Sequence, residues 1–145
     1  MREPGSVSYV RQQEPAGLGH AVWCARNQVG NEPVAVLLAD DLILGTPALQ
    51  EMVDAYQDGN MVAVMEVSPE ETSSYGIITP DHENSPLITV KGLIGKAAFA
   101  GLKFSGQRFD CGSKIGFIKA NMAFALQRPE LRAGLQKWIA EQISL

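Results

Sequence analysis

The chain has 145 residues, a formal charge of −4 and 46% hydrophobic residues, a balance that sets it among packed domains with one core and against disordered chains. No basic run offsets the acidic total, which argues against nucleic acid as a partner, and no stretch is long and apolar enough to span a bilayer. The amino-terminal MREPGSV has neither an apolar signal core nor an amphipathic targeting helix, so a cytoplasmic chain is expected, with Cys24 and Cys111 as reduced thiols too isolated for a zinc motif.

Residues 6–12, SVSYVRQ, alternate enough to predict a strand, which runs into a Pro- and Gly-rich turn. Leu18, Ala21, Val22, Ala25 and Val29 then share a helical face that Gly30 is placed to end. Residues 33–44, PVAVLLADDLIL, combine an almost wholly apolar run with two adjacent carboxylates. Such a run predicts a strand buried on both faces, as in a parallel sheet, with Asp40 and Asp41 at its carboxyl end, where ligands gather. Thr46-Pro47 opens a helix with Leu49, Met52, Val53 and Tyr56 as its inner stripe, and residues 61–67 predict a third strand. Strands alternating with helices specify an α/β layered sheet.

Past Pro69, SSYGIITP and LITVKGLI predict two antiparallel strands joined by the polar DHENSP. The text of residues 95–105, GKAAFAGLKFS, favours neither helix nor strand. RFD then predicts a short strand, followed by a helix with Ile115, Ile118, Met122 and Leu126 on one face and a last helix opened by Pro129.

The acids are the main chemical signal. A buried unpaired carboxylate is costly, so Asp40 and Asp41 need water, backbone donors or a cation. They read either as the start of a turn or as part of a divalent cation site. Asp110, at the end of RFD, could stand at the same sheet edge as Asp40, and two carboxylates from separate loops suit a hard cation that also holds phosphate oxygens. Lys96, Lys103, Arg108 and Lys114 cluster late in the chain as solvated surface or as phosphate neutralisers. Gly17-Leu18-Gly19 ahead of a helix is a weak phosphate-loop signal, because a third glycine is missing and no GxxxxGK is present. His20 reads as an exposed helix-start residue, Cys24 and Cys111 as packing thiols, and no nucleophilic triad declares itself.

The residues RQQEPAGLGHA, VLLADDL, SSYGI and RFDCGSK, in that order, resemble the bacterial UTP–glucose-1-phosphate uridylyltransferase (UDP-glucose pyrophosphorylase) family over nearly the whole chain. The resemblance implies a three-layer, Rossmann-like nucleotide-diphospho-sugar transferase fold, mostly parallel with antiparallel additions. It also implies conversion of UTP and glucose 1-phosphate to UDP-glucose and pyrophosphate under Mg2+. By matched motif, Gln12 and Gly17 would contact the uracil and Gly76 the sugar. Asp40 and Asp110 would hold the metal, while Lys96 and Lys114 would supply catalytic charge.

The departures from the family's pattern are specific. Its amino-terminal strand, GxGTR-type glycine loop and following lysine have no counterpart in this text, EKP is replaced by Gly95-Lys96-Ala97, and a long insert before RFDCGSK is missing. The expectation is a single partial nucleotidyltransferase domain over residues 1–145, amino-terminally truncated and internally shortened. Negligible turnover alone and self-association through uncovered surface are expected with it. The alternative is a non-catalytic module that binds a uridine nucleotide or a partner chain. A receiver-type signalling domain would need an aspartate at the end of a neighbouring strand, where Glu66-Val67-Ser68 stands instead.

Overall fold

The computed structural model describes residues 5–80, 87–91 and 99–143, in two compact units, Met1–Leu38 and Ala39–Leu145.

In the first unit the predicted helix forms as two pieces, α1 (Leu18–Cys24) and α2 (Arg26–Val29). They are joined at Ala25, whose N–H turns back to Val22 O at 3.1 Å. Gly17 precedes α1 with φ 88° and Gly30 ends α2 with φ 64°, two left-handed conformations that favour glycine. The predicted strands over 6–12 and 33–39 do not form, and Val34, Val36, Leu37 and Leu38 are exposed. An apolar run records a preference for burial, whereas a strand also requires a hydrogen-bonding neighbour, and neither stretch has one among the described residues.

The second unit contains β1 (Asp41–Leu44), α3 (Ala48–Ala55), β2 (Asn60–Val64), a 3-10 turn (Pro69–Ser74), β3 (Thr79–Pro80), β4 (Leu87–Lys91), β5 (Phe99–Lys103), β6 (Gln107–Asp110), α4 (Lys114–Gln127) and α5 (Pro129–Ile143). One sheet has the order β2-β5-β4-β3, and β1 pairs with β6 in a separate ribbon. The β2–β5 pairing is parallel, while β3–β4, β4–β5 and β1–β6 are antiparallel. The mostly parallel sheet read from the sequence is therefore a mixed one among the described residues, because two of the strands expected to carry the parallel share are unpaired.

Gly101 makes the centre of β5 possible. A Cβ there would meet Ile78 Cδ1 at 3.1 Å, Val90 Cγ2 at 3.3 Å and Val64 Cγ1 at 3.4 Å, so neighbouring side chains fill the place a larger residue would take. Leu102 beside it is buried, as are Phe109 of β6 and Ala120 of α4. Phe109 and Phe124 set tilted rings 6.3 Å apart and so tie α4 to the ribbon. Glu51 of α3 accepts the Ser105 N–H at 3.1 and 3.2 Å and its hydroxyl at 2.5 Å, which pins the turn between β5 and β6. Helix α3 begins one residue later than expected, with Pro47 as its cap, and Leu49, Val53 and Tyr56 of its predicted inner stripe are exposed.

Candidate functional site

The ribbon of β1 and β6 places the acids. Asp41 stands directly opposite Asp110 in the antiparallel register, and the Cys111 N–H donates to Asp40 O at 2.7 Å, carrying the pairing one residue further. Asp40 thus directly precedes β1 and Asp41 opens it, rather than the two acids ending the strand predicted before them.

Beyond Asp110 the chain must turn at once into α4. Asp110 Oδ1 accepts the Gly112 N–H at 2.9 Å and Asp110 O accepts the Ser113 hydroxyl at 3.1 Å. Ser113 Oγ in turn accepts the Gly116 N–H at 3.0 Å as the helix N-cap. A Cβ on Gly112 would lie 2.9 Å from Asp40 Oδ2 and 3.0 Å from Asp110 Oδ1. The two carboxylates therefore border one small space that the glycine keeps open. Oxygen-only donors from two loops are the set a hard divalent cation takes when substrate phosphates complete its shell. Among the described residues no cluster of three or more His, Cys, Asp or Glu could hold a metal ion; what borders this space is two carboxylate oxygens.

Asp41 is engaged elsewhere. Arg108 Nε and Nη2 both donate to Asp41 Oδ1, at 2.7 and 2.6 Å. Arg108 Nη1 lies 3.5 Å from Tyr75 Oη, and the guanidinium carbon stands 5.5 Å from the Tyr75 ring centre. Partial burial works against the guanidinium charge, but the hydrogen bond and attraction of Asp41, then those of Tyr75, leave its pKa above the ordinary arginine value. Sequence reasoning counted Arg108 only as one of several late cations. The available signal was the period of two in QRFD, which sets Arg108 and Asp110 on one face of β6.

Gly76 follows Tyr75 and is exposed; a Cβ there would meet nothing within 4 Å. Lys114 is the exposed first residue of α4. Lys96 and His82 lie outside the described residues. In the first unit, the Gln12 side-chain amide donates to Gly17 O at 3.0 Å, so these two predicted residues touch. His20, read from the sequence as exposed, is half-buried behind them. Its Nδ1 stands 3.1 Å from Gln12 Nε2 and 3.2 Å from Glu14 O, and its Nε2 stands 3.7 Å from Cys24 Sγ.

The profile of the nucleotidyl transferase family matches residues 3–98. The chain belongs to this family. Among curated nucleotidyl transferases it is similar to a UTP–glucose-1-phosphate uridylyltransferase of Bacillus subtilis strain 168, with 33% identity covering 87% of this chain and 61% of the relative. A second uridylyltransferase of that strain is 32% identical, over 95% of this chain and 64% of its own length. The chain thus spans somewhat under two thirds of these relatives. The first match runs over 178 residues, more than this chain's 145, so that relative carries residues inside the matched span with no counterpart here.

Solved structures agree on the fold. A UTP-bound UGPase from Acinetobacter baumannii superposes with TM-score 0.76 at 24% identity, covering 91% of this chain and 64% of that one. A UDP-glucose pyrophosphorylase complexed with UDP-glucose gives TM-score 0.69 at 27% identity, covering 83% and 66%. The α/β nucleotide-diphospho-sugar transferase fold implied by the sequence motifs is therefore the fold of this nucleotidyl transferase, in incomplete form.

Proposed function

We propose that residues 1–145 form one partial nucleotidyltransferase domain of the UTP–glucose-1-phosphate uridylyltransferase kind. It binds a uridine nucleotide together with Mg2+ and by itself turns over negligibly. The observation that carries this reading is the convergence of Asp40 Oδ2 and Asp110 Oδ1 on the space above Gly112. Asp40 and Asp110 would hold the Mg2+, which when bound supplies charge neutralisation to the phosphates.

The remaining roles fall to the chain's own side chains. Gln12 and Gly17, already joined by a hydrogen bond, present the uracil edge. Gly76 receives the sugar, which fits a glycine that no neighbouring atom within the described chain requires. Lys114 at the start of α4, with Lys96, neutralises phosphate oxygens while the sugar phosphate attacks the α-phosphorus of UTP in line, a reaction that asks the protein for position and charge.

Two observations limit catalysis and favour nucleotide or partner binding without turnover as the second reading. The family's EKP stands as Gly95-Lys96-Ala97, and part of the relative's matched span is absent. Loss of one preorganised interaction costs about 2.7–4 kcal/mol in the transition state, and the glutamate of EKP has no counterpart at Gly95. The test is a coupled assay with UTP, glucose 1-phosphate and Mg2+ beside a calorimetric UTP titration. Binding without appreciable turnover supports the proposal, and rates typical of the family's enzymes would overturn its catalytic part.

We also propose self-association. Ile115, Phe117 and Ile118 of α4 are 60%, 55% and 52% exposed, and a groove of about 330 Å3 lined by Leu42, Phe117, Phe124 and Leu131 runs beside them. A clean monomer in sedimentation at high concentration would count against it. A cytoplasmic location fits the free thiols Cys24 and Cys111. Among the described residues no helix is long and apolar enough to cross a membrane.

A further inference from the structure

Like charges directly opposite each other in a β-ribbon repel, and Asp41 and Asp110 are such a pair. Arg108 answers this from the diagonal position on β6. Its Nε and Nη2 converge on Asp41 Oδ1, while Nη1 reaches toward Tyr75 Oη and the guanidinium carbon stands over the Tyr75 ring. Asp110 is left with the Gly112 N–H as its side-chain partner, facing Asp40 across the open space.

We infer that Arg108 is a positioning residue with two duties. It takes Asp41 as its counter-ion, so that Asp40 and Asp110 are left to the cation, and it holds Tyr75, and through it Gly76, at the same edge. The arrangement depends on a planar fork with several donors, which an ammonium cannot reproduce: two nitrogens serve the carboxylate while the third serves the phenol oxygen and the charge lies over its ring. A strand that presents Asp110 to the metal thereby also fixes the loop that presents Gly76. The inference rests on the cation site proposed above.

The test uses the full chain, Mn2+ as the probe, and hydrogen exchange of the Tyr75 and Gly76 amides as a readout that does not involve metal. Arg108→Met frees Asp41 and removes a nearby positive charge, so Mn2+ should bind at least fivefold more tightly. Asp41→Asn leaves an uncompensated guanidinium beside the site, so Mn2+ should bind at least fivefold more weakly. The double variant should return to within twofold of wild type. Arg108→Lys keeps the charge and loses the fork; it should retain near-wild-type Mn2+ affinity yet speed exchange at Tyr75 and Gly76 at least tenfold. This variant and Asp41→Asn carry the test if Arg108→Met does not fold.

Unchanged Mn2+ affinity in folded Arg108→Met, or a double variant that fails to return, overturns the first duty. Unchanged exchange in Arg108→Lys overturns the second. A wild-type chain that takes up no Mn2+ overturns the cation reading itself and the first duty with it, while the exchange rates still decide the second.

Discussion

Asp40 and Asp110 aim carboxylate oxygens at one point, the place a methyl group on Gly112 would occupy, 2.9 Å from one and 3.0 Å from the other. Gly112 has no positive φ to justify it; its use is the room it leaves. Gly112→Ala should therefore cost less than about 1 kcal/mol of stability, because the side chains it meets are short carboxylate ends that can swing aside. The same displacement should weaken Mn2+ binding more than tenfold, or about 1.4 kcal/mol. Paired thermal melts and Mn2+ titrations check this, and a variant that binds Mn2+ normally would show that the space is not the site.

Gly116 makes a sharper demand. A Cβ there would overlap Asp110 O and fall 2.6 Å from Ser113 Oγ, and a backbone carbonyl cannot swing aside. Gly116→Ala should destabilise the chain by about 1–3 kcal/mol through overpacking. Ser113→Ala, which removes the N-cap, should cost about 1 kcal/mol. Denaturant titrations give both values, and a neutral Gly116→Ala would mean that α4 starts with more freedom than its first turn shows.

The pH dependence separates two ion pairs. Glu66, exposed on the chain after β2, has its pKa lowered by the hydrogen bond and attraction of Lys103. Its contribution is present above the ordinary carboxylate range and is lost as acid protonates the folded form. The difference in melting temperature between wild type and Glu66→Gln should be small, since the pair is exposed, and should vanish in acid below the ordinary carboxylate range. Arg108 has a raised pKa, so its pairing with Asp41 persists up to the ordinary arginine value and should add no pH dependence between neutrality and mild alkali. A melting curve that loses stability over that alkaline range in wild type but not in Arg108→Met would contradict this.

Gln12 and Gly17 offer an independent handle on the base. Gln12→Ala should weaken UTP about tenfold, or about 1.4 kcal/mol, while leaving Mn2+ binding without nucleotide unchanged. Equal loss of both would mean that the substitution disturbs more than base contact.

The local signals in the sequence carried far where one element suffices. The helical stretch closed by Gly30, though it forms in two pieces, the short strand RFD, and the start of the last helix at Pro129 were all legible, because glycines, prolines and apolar spacing act within a few residues. Residues 33–39 were misread because burial preference says nothing of whether a ladder partner is present. Strand β5 was missed because its centre, Gly101, gives its space to Ile78, Val90 and Val64 and so leaves no side-chain pattern to read. Asp40 and Asp110 could be paired from their motifs, but the engagement of Asp41 by Arg108 depends on an antiparallel register between residues 67 apart. No local spacing encodes that register.

The most direct measurement is a calorimetric titration of UTP into the full chain with and without Mg2+, repeated with Asp40→Asn and with Asp110→Asn. The expected result is UTP binding strengthened at least tenfold by Mg2+ in wild type, with that gain lost in each variant. UTP binding that ignores Mg2+, or a gain that survives both substitutions, would contradict a cation held by these two carboxylates.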